Sequence, residues 1–333
     1  MKFKTLSNSQ VRELLLGASR TQWTKYIGQL HTALKRYSQN PGIVPPRIVE
    51  PIPDGSTIHF VMPVLDDIYC GVKTMGYNAA AGTGFEGSVI VTDPKSGILK
   101  GVAEVKELTG VRTAMTSCIG LVRQLPLFGQ TVIVTVFGTG LQAFWHAYIC
   151  SKLLEGKNIT VNFAHRKTPM DTSLLQKWIA GLTVNQIPLS DNTEISKAVS
   201  QSDIIFGCVP STSPAILKKD LESPLGPSYT YISLIGSYKS HMHECDTALV
   251  EEFKAQDAKI LVDSAEHTLA EAGELIDAQV VPEQLLELGK LEDSTQVPTV
   301  QINEKRQVTL CKIVGLAVMD VSTAMSLLNE VGT

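Results

Sequence analysis

The stretch TVIVTVFGTGLQA, residues 131–143, decides the fold of this protein. Its first half is a continuous run of β-branched and apolar residues, which is typical of a strand buried on both faces of a parallel sheet. Its second half carries the pattern G-x-G-x-x-A at Gly138, Gly140 and Ala143, where a helix should begin. Gly138 permits the tight turn, Gly140 allows the backbone to approach a pyrophosphate, and Ala143 allows close packing of helix on strand. The stretch therefore predicts a strand, turn and helix that bind a dinucleotide.

The predicted turn offers backbone N–H groups and the positive end of a helix dipole to the phosphates of such a ligand. We therefore assign cofactor binding to Gly138, Thr139, Gly140, Leu141 and Gln142. The alternative is a plain strand–turn–helix that needs glycine only for steric reasons.

The end of the next predicted strand should lie near the cofactor's ribose, since it comes about 20 residues after the glycines. An acidic residue at this point is typical of NAD enzymes, but the sequence there is Ala164-His165-Arg166-Lys167 and contains no acid. Arg166 and Lys167 suit a 2′-phosphate, whereas a solvated basic turn is the alternative. We therefore predict NADPH as the cofactor, with NADH possible, and add His165, Arg166, Lys167 and Val209 to the cofactor-binding residues.

The segments after this turn alternate between apolar runs and helical stretches. Predicted strands lie at 159–164, 203–209, 229–235 and 259–262, with a short helix at 191–200. This alternation indicates an α/β fold with a doubly wound parallel sheet. We predict that residues 308–328 form one helix that packs on the N-terminal half, because the sheet is complete without them.

The N-terminal part of the chain has a different pattern. Residues 6–40 show helical spacing of apolar side chains and end at Asn40-Pro41-Gly42. Residues 44–105 contain short strand-like runs separated by Pro and Gly. This region therefore reads as α+β and predicts a second domain.

Composition limits the classes of function. The chain has 333 residues, which suggests two domains. Its formal net charge is −4 and no Lys/Arg block stands out, so we predict no nucleic-acid partner. The longest apolar runs are shorter than the ~20 residues that span a bilayer, and the N-terminus lacks the apolar core of a secretory signal. We expect a cytoplasmic protein without a membrane partner.

The residues that most often bind metals show no such pattern here. The six cysteines contain no C-x-x-C pair, so we predict free thiols in a reducing compartment. His241 and His243 have no evident third ligand, and we predict no metal site.

The chain resembles the ornithine cyclodeaminase/mu-crystallin family over nearly its whole length. The most specific matches are the Gln142-Ala143 ending of the glycine turn and the motif Arg112-Thr113-Ala114. The other matching stretches are, in chain order, Met62-Pro63, Lys73, Thr109, Ile235-Gly236-Ser237, Glu244 with Asp246, Val262-Asp263-Ser264, Glu271-Ala272-Gly273-Glu274, and Lys312 with Gly315-Leu316-Ala317 and Asp320.

The resemblance implies a Rossmann-type dinucleotide-binding domain plus an α+β domain, built from the N-terminal half and the C-terminal helix, that binds substrate and dimerises through its sheet. We expect the second domain to comprise residues 1–118 with 303–333 and the Rossmann domain to comprise residues 119–302. We expect a homodimer on the same basis.

The resemblance also implies that Arg47, Lys73 and Arg112 bind a substrate carboxylate, with Lys73 and Arg112 as catalytic residues. The chemistry agrees, because an arginine fork binds a carboxylate through two hydrogen bonds and Lys73 lies in a glycine-rich apolar context. An ordinary surface charge is the alternative for each. By the same analogy, Thr113 and Thr83 help to hold the cofactor.

Tyr238 is a departure from the family pattern that bears on the reaction. The family's cyclodeaminase and alanine dehydrogenase carry an Asp at this position, which would act as a general base toward an amine or a water. Tyrosine is a poor base at neutral pH but donates a hydrogen bond, so we assign Tyr238 to substrate binding. Reduction of a preformed imine does not require such a base.

We therefore predict an NADPH-dependent reductase of small cyclic imino acids, such as Δ1-pyrroline-2-carboxylate or Δ1-piperideine-2-carboxylate. The partner would be this small-molecule imino or amino acid substrate. An ornithine cyclodeaminase and a non-catalytic, mu-crystallin-like binding protein are the alternatives.

Overall fold

The computed structural model describes residues 3–82 and 84–331, which form two compact units. Unit 1 runs to Thr113 and resumes at Gly315, and unit 2 comprises Ala114–Val314. The strands are, in chain order, β1 Lys4–Leu6, β2 Ile48–Pro51, β3 Ile58–Leu65, β4 Cys70–Tyr77, β5 Phe85–Thr92, β6 Leu99–Glu104, β7 Thr131–Phe137, β8 Asn158–His165, β9 Thr183–Pro188, β10 Ile204–Gly207, β11 Tyr229–Leu234, β12 Ile260–Val262, β13 Leu285–Glu287, β14 Val300–Gln301 and β15 Gln307–Lys312. The helices are α1 Asn8–Leu16, α2 Arg20–Gln39, α3 Val105–Gln124, α4 Leu141–Leu153, α5 Ser173–Trp178, α6 Asn192–Gln201, α7 Lys218–Leu221, α8 Thr247–Ala255, α9 Ala265–Glu271, α10 Gly273–Asp277 and α11 Ala317–Glu330.

Unit 1 is built on a six-stranded sheet with the strand order β1-β6-β5-β4-β3-β2, in which β1 and β6 are parallel and the other neighbours antiparallel. The helix α11 packs on one face of this sheet, and α2 packs on α11. Ser7 and Ser19 begin α1 and α2 with capping boxes, which satisfy the first free N–H groups of each helix.

Unit 2 is built on a nine-stranded sheet with the order β13-β12-β15-β11-β10-β7-β8-β9, and only the short β14 is antiparallel to its neighbour. The chain leaves β7 for β8 and β9 on one side and later adds β10 and β11 on the other. The carboxyl ends of β7 and β10 therefore border a topological switch point, where open α/β sheets bind ligands. The predicted α/β fold with a doubly wound parallel sheet is confirmed.

The prediction of a single helix over residues 308–328 is wrong. These residues form the strand β15 and the helix α11, separated by a turn at Gly315, whose φ is +97°. The strand β15 lies between β11 and β12, so the sheet is not complete without it. A short apolar run such as 308–311 fits a helix and a buried strand equally well. Unit 2 therefore includes residues 303–314, and it also includes residues 114–118; we expected both segments in the domain of the N-terminal half.

The long helix α3 was not predicted at all. Thr109, Gly110, Val111, Thr113 and Thr116 give its middle a low helix propensity, although most of the helix is buried. Tertiary packing therefore stabilises α3 where local preference does not. No helix in the described part of the chain is both long enough and apolar enough to cross a bilayer.

Candidate functional site

Lys73 and Asp320 form a buried ion pair in unit 1. Lys73 lies in the middle of β4 and is 2% exposed, and Asp320 lies in the first turn of α11 and is fully buried. The Lys73 Nζ is 2.8 Å from the Asp320 Oδ1 and also donates a hydrogen bond of 2.9 Å to the Thr109 Oγ1. The pairing joins the sheet to the C-terminal helix, 247 positions apart in sequence.

Arg112 meets the same carboxylate from α3. Its Nε donates to the Asp320 Oδ1 over 3.2 Å, and the residue is 8% exposed. A Cβ atom at position 315 would lie 3.0 Å from the Arg112 Nη1. Gly315, with its positive φ, therefore leaves the space that the guanidinium occupies. Lys73 and Arg112, predicted from separate parts of the sequence, thus converge on one oxygen atom.

The charges of this group are set by burial and by each other. Burial lowers the pKa of Lys73 to about 8, an effect that Asp320 opposes and Arg112 reinforces. Burial would raise the pKa of Asp320, but Arg112 and Lys73 outweigh it and the pKa is lowered. The Asp320 Oδ2 is buried and has no hydrogen-bond partner. Asp320 lies in a motif that matched the family, but no role was predicted for it. Its position as the one ionisable residue in the apolar run 313–329 was the available signal.

Arg47 is exposed and directly precedes β2. Ile48 pairs with Val61 in the antiparallel register of β2 and β3. The next residues along the two chains are Arg47 and Met62, and Met62 pairs with Lys73 on β4. Residues that lie opposite each other in antiparallel strands point to the same face. Continuation of this register by one residue would place Arg47 on the face of Lys73, two strands and about 10 Å away.

The glycine turn of unit 2 combines a tightly packed first glycine with a second glycine that has open space around it. Gly138 adopts a φ of +118°, its N–H donates to the Ala164 carbonyl over 2.8 Å, and a Cβ there would lie 2.8 Å from the Val209 Cγ1. Gly140 is the N-cap of α4, and no side chain caps this helix. Nothing lies within 4 Å of a Cβ built on Gly140. The first amides of α4, from Leu141 onward, are thus presented beside an open space that a side chain would fill.

The predicted ribose-binding residues lie at the carboxyl end of β8. Arg166 and Lys167 are exposed, and His165 is partly buried with an Nδ1 atom that has no partner. The Arg166 Nη2 donates to the Pro210 carbonyl over 3.0 Å. The structure therefore brings Arg166 to the loop after β10 that also contains Val209, one residue before Pro210.

Two further predicted residues, Thr113 and Tyr238, occupy different surroundings. Thr113 is buried and its hydroxyl donates to the Thr109 carbonyl over 2.7 Å, within α3. Tyr238 follows β11, is 44% exposed, and has the Lys239 Nζ 5.8 Å from the centre of its ring. Thr83 lies outside the described residues.

Sequence reasoning missed a second buried group of charges, which we call the acid–lysine cluster: Ser237, Glu244, Glu274 and Lys312. All four side chains are buried in unit 2. The Lys312 Nζ is 3.3 Å from the Glu244 Oε2 and 3.6 Å from the Glu274 Oε1, and it donates to the Ser237 Oγ, whose hydroxyl donates to Glu274 over 2.6 Å. Four stretches that matched the family separately therefore meet in one place. A lysine in the apolar strand β15 was the available signal.

Burial and neighbouring charges shift the pKa values of Glu244 and Lys312 in this cluster. Burial raises the pKa of Glu244 to about 7; Lys312 opposes this shift and Glu274 adds to it. Burial would lower the pKa of Lys312, but Glu274 and Glu244 outweigh it and the pKa is raised. Lys312 is therefore a stable cation in the core of unit 2.

The fold and the buried residues described above agree with the family to which the chain belongs. The chain belongs to the ornithine cyclodeaminase/mu-crystallin family, whose model matches residues 11–332. The resemblance drawn from the sequence is confirmed.

The relatives include proteins with and without a known activity. An uncharacterised protein of Saccharomyces cerevisiae is 39% identical, over 99% of this chain and 97% of its own length. The ketimine reductase mu-crystallin of Mus musculus is 24% identical, over 75% of this chain and 76% of its own length. Among solved structures, Δ1-pyrroline-2-carboxylate reductase of Thermococcus litoralis, in complex with NADH and L-proline, has a TM-score of 0.73 at 22% identity and covers 99% of both chains. At this identity the structural likeness establishes the fold.

Proposed function

We propose that the protein is an NADPH-dependent reductase of small cyclic ketimines that carry a carboxylate beside the imine carbon. The observation that carries the proposal is the convergence of Lys73 and Arg112 on Asp320 in the interior of unit 1. Buried cations are rare unless they are paired or used. The mouse relative and the Thermococcus neighbour are both named as reductases of imines, which supports the same reaction class.

Lys73 and Arg112 would bind the substrate carboxylate. A guanidinium binds a carboxylate in a fixed plane, and attraction between charges is stronger where water is excluded. Asp320 orients both cations and keeps Lys73 in place. Arg47, on the face of Lys73, would provide a third positive charge. A substrate with a carboxylate next to the imine would thus be held in one orientation, which favours a reaction at the imine carbon.

The open turn at Gly140 fits a dinucleotide, because a Cβ there would occupy the space that a pyrophosphate needs. Gly138, Thr139, Gly140, Leu141 and Gln142 would hold the pyrophosphate through backbone amides. When bound, a reduced nicotinamide supplies a hydride to the imine carbon. Lys73 would hold a proton near the imine nitrogen at neutral pH, unless the imine arrives already protonated. Tyr238 would donate a hydrogen bond to the substrate, and Thr113 and Val209 would contact the cofactor.

We propose NADPH rather than NADH because of Arg166 and Lys167. Both are exposed at the carboxyl end of β8, the position at which an enzyme meets the 2′ position of the ribose. His165, beside them, would contact the same part of the cofactor. The comparison of NADPH with NADH tests this preference directly.

We also propose that unit 1 dimerises through the sheet face opposite Lys73. On that face the side chains of Pro63, Val72, Ile90 and Val102 form a row across four strands and are half-buried. An apolar row of this kind on an open sheet face is typical of an interface.

We also propose a cytoplasmic location, which the six free cysteines support.

The experiment mixes the purified protein with NADPH or NADH and either Δ1-pyrroline-2-carboxylate or Δ1-piperideine-2-carboxylate, and follows the absorbance of the reduced nicotinamide. Turnover that is faster with NADPH is expected. Ammonia and proline from ornithine without net cofactor change would support a cyclodeaminase instead. Cofactor binding without either activity would support a non-catalytic binding protein.

A pair of variants on α3 tests the carboxylate-binding residues. Arg112→Ala should abolish turnover and leave dinucleotide binding largely intact. Lys106→Ala is the matched control, because Lys106 is exposed on the same helix and pairs with Glu86 over 3.1 Å; its activity should equal that of the wild type. Full activity in Arg112→Ala would show that the assignment of the carboxylate site is wrong.

A further inference from the structure

Three backbone segments pack against one another at the carboxyl edge of the unit 2 sheet. A Cβ at Gly138 would lie 2.8 Å from the Val209 Cγ1, and a Cβ at Gly236 would lie 2.2 Å from the Val209 carbonyl oxygen. The turn after β7, the loop after β10 and the turn after β11 are therefore in direct contact. A displacement of residues 236–238 would be transmitted to Val209 and then to the glycine turn.

Glu244 holds the turn after β11, residues 236–238, through hydrogen bonds to its backbone. Its Oε2 accepts hydrogen bonds from the backbone N–H groups of Gly236, at 2.6 Å, and Ser237, at 3.1 Å, and it pairs with Lys312. A Cβ at Gly207 would lie 2.4 Å from the Glu244 Oε1, and one at Gly236 would lie 2.7 Å from the same atom. Two glycines thus leave the space that this carboxylate fills.

We propose that Glu244 is a positioning residue for hydride transfer, which holds residues 236–238 against Val209 so that this edge of the sheet fits the nicotinamide half of the cofactor. The inference rests on the proposed function. Glu244 is buried beneath the turn, so it acts through the backbone rather than on the reacting atoms.

The position of residues 236–238 in the strand order indicates which half of the cofactor this turn faces. A dinucleotide lies across the switch point, with its adenosine half over the strands on one side and its nicotinamide half over the strands on the other. Arg166 and Lys167, proposed for the ribose 2′-phosphate, follow β8. The ends of β10 and β11 lie on the opposite side of β7. The turn that Glu244 holds, which includes Tyr238, is therefore on the nicotinamide side.

The test compares Glu244→Gln with the wild type for two ligands, NADPH and 2′-phospho-ADP-ribose, which lacks the nicotinamide. Calorimetry should show that the affinity for 2′-phospho-ADP-ribose changes less than about twofold, since its contacts lie on the other side of the switch point. Turnover with the cyclic ketimine should fall by roughly 10- to 100-fold in kcat, as expected for a small misplacement of reacting groups.

Glu287→Gln is the matched control, because Glu287 is also buried in unit 2, accepts a backbone N–H from Ala265 over 3.1 Å and pairs with Lys290. It lies on the edge strand β13, and its kcat should remain that of the wild type. If Glu244→Gln does not fold, Ser237→Ala replaces it, since the loss of the Ser237 hydroxyl removes the hydrogen bonds by which Lys312 and Glu274 hold the same turn. Its kcat should fall in the same way with unchanged affinity for 2′-phospho-ADP-ribose.

A wild-type kcat in the folded Glu244→Gln protein, or in Ser237→Ala where it replaces it, would overturn the positioning role and leave the proposed function intact. An equal loss of affinity for NADPH and 2′-phospho-ADP-ribose would do the same. A wild-type protein that binds neither NADPH nor NADH would instead overturn the proposed function, and the inference with it.

Discussion

At the scale of single residues, the protonation of Lys73 links the structure to the proposed chemistry. Its lowered pKa of about 8 means that it carries a positive charge at neutral pH and loses it as the pH rises through about 8. A neutral lysine attracts a carboxylate less, so the KM for the imine substrate should rise above this pH.

The substitution Asp320→Asn tests this link. Asp320 raises the pKa of Lys73 through its charge and hydrogen bond, so its loss should lower that pKa further and move the rise in KM to lower pH. The measurement is KM between about pH 6 and 9, where protonation of the substrate itself is the same for both proteins. Asp93→Asn, which removes the exposed partner of Lys100, should leave the profile unchanged. Identical profiles for wild type and Asp320→Asn would show that the ion pair does not set the charge of Lys73.

His146 is the residue whose burial should make stability depend on pH. Its ring is fully buried in α4, with Nε2 2.9 Å from the Ser117 Oγ and Nδ1 2.7 Å from the Gln142 carbonyl oxygen. Burial lowers its pKa to about 4, an effect that the hydrogen bond to Gln142 opposes. Between about pH 6.5 and 4 the unfolded chain binds a proton that the folded protein does not, so stability falls as the pH falls through this window.

The variant His146→Gln should lack this pH dependence. Its free energy of unfolding, measured with urea, should be below that of the wild type at pH 7. That deficit should shrink by up to about 3 kcal/mol toward pH 4. Asn192→Gln, which changes no titratable group at an exposed position, is the control, and its difference from the wild type should not change with pH. A deficit for His146→Gln that is constant with pH would mean that the buried ring titrates normally.

At the scale of elements, the turn between β7 and α4 contains two glycines, Gly138 and Gly140, whose surroundings differ. Gly138 has a positive φ and no space for a side chain, so the fold itself requires glycine there. Gly140 has a φ of −89° and open space around it. The fold does not require the second glycine, and we propose that it serves an approaching ligand.

The substitution Gly140→Ala should leave the thermal unfolding temperature close to that of the wild type, while dinucleotide affinity falls about tenfold or more, which equals about 1.4 kcal/mol. Calorimetric titration with NADPH measures the affinity. Gly129→Ala, which also has open space around it, should change neither quantity. Wild-type affinity in Gly140→Ala would place the pyrophosphate elsewhere.

The buried side chain of Arg306 contacts the C-terminal end of α6. The Arg306 guanidinium donates to the carbonyl oxygens of Ser200, at 2.8 Å, and Ser202, at 3.0 Å, and to the Thr230 Oγ1 on β11, at 2.8 Å. These carbonyls face the interior, where water cannot replace the donor. Arg306 therefore joins α6 to the sheet.

Replacement by a side chain of similar length but without donors tests this role. Arg306→Met should lower the free energy of unfolding by about 3 kcal/mol or more, because several buried acceptors lose their donor together. Arg123→Met is the control, since Arg123 also donates to carbonyls, those of Leu291 and Glu292, but is partly exposed to water. A loss of about 1 kcal/mol is expected there, and equal losses in the two variants would contradict the argument.

At the scale of the whole molecule, we propose that the open sheet face of unit 1 carries the dimer interface. Val72 lies in the middle of the half-buried apolar row that we propose as the dimer interface. Val72→Lys should shift the protein toward monomer, because a buried charge without a partner is costly. Light scattering after size-exclusion chromatography measures the mass. Val281→Lys, at an exposed site of unit 2, should leave the mass unchanged. A wild-type monomer would exclude this interface.

The local features of the chain were predictable from sequence because they depend on neighbours in sequence. The limits of β7 were predicted to the residue, and the glycine turn and α4 follow it as expected. The basic residues Lys73 and Arg112 were also identified, although only the resemblance to a family gave them a role. The helix α3 and the strand β15 were missed, because weak propensity and a short apolar run leave the decision to packing.

The sequence by itself determined that the chain contains a strand, a glycine turn and a helix able to receive a diphosphate, since spacing within a dozen residues specifies that geometry. Only the tertiary structure decided that Asp320 joins Lys73 and Arg112, and that Glu244 and Lys312 meet beneath residues 236–238. The reason is physical: a buried charge is stable only with a partner. The order of strands in the sheets, not distance along the chain, decides which partner it meets.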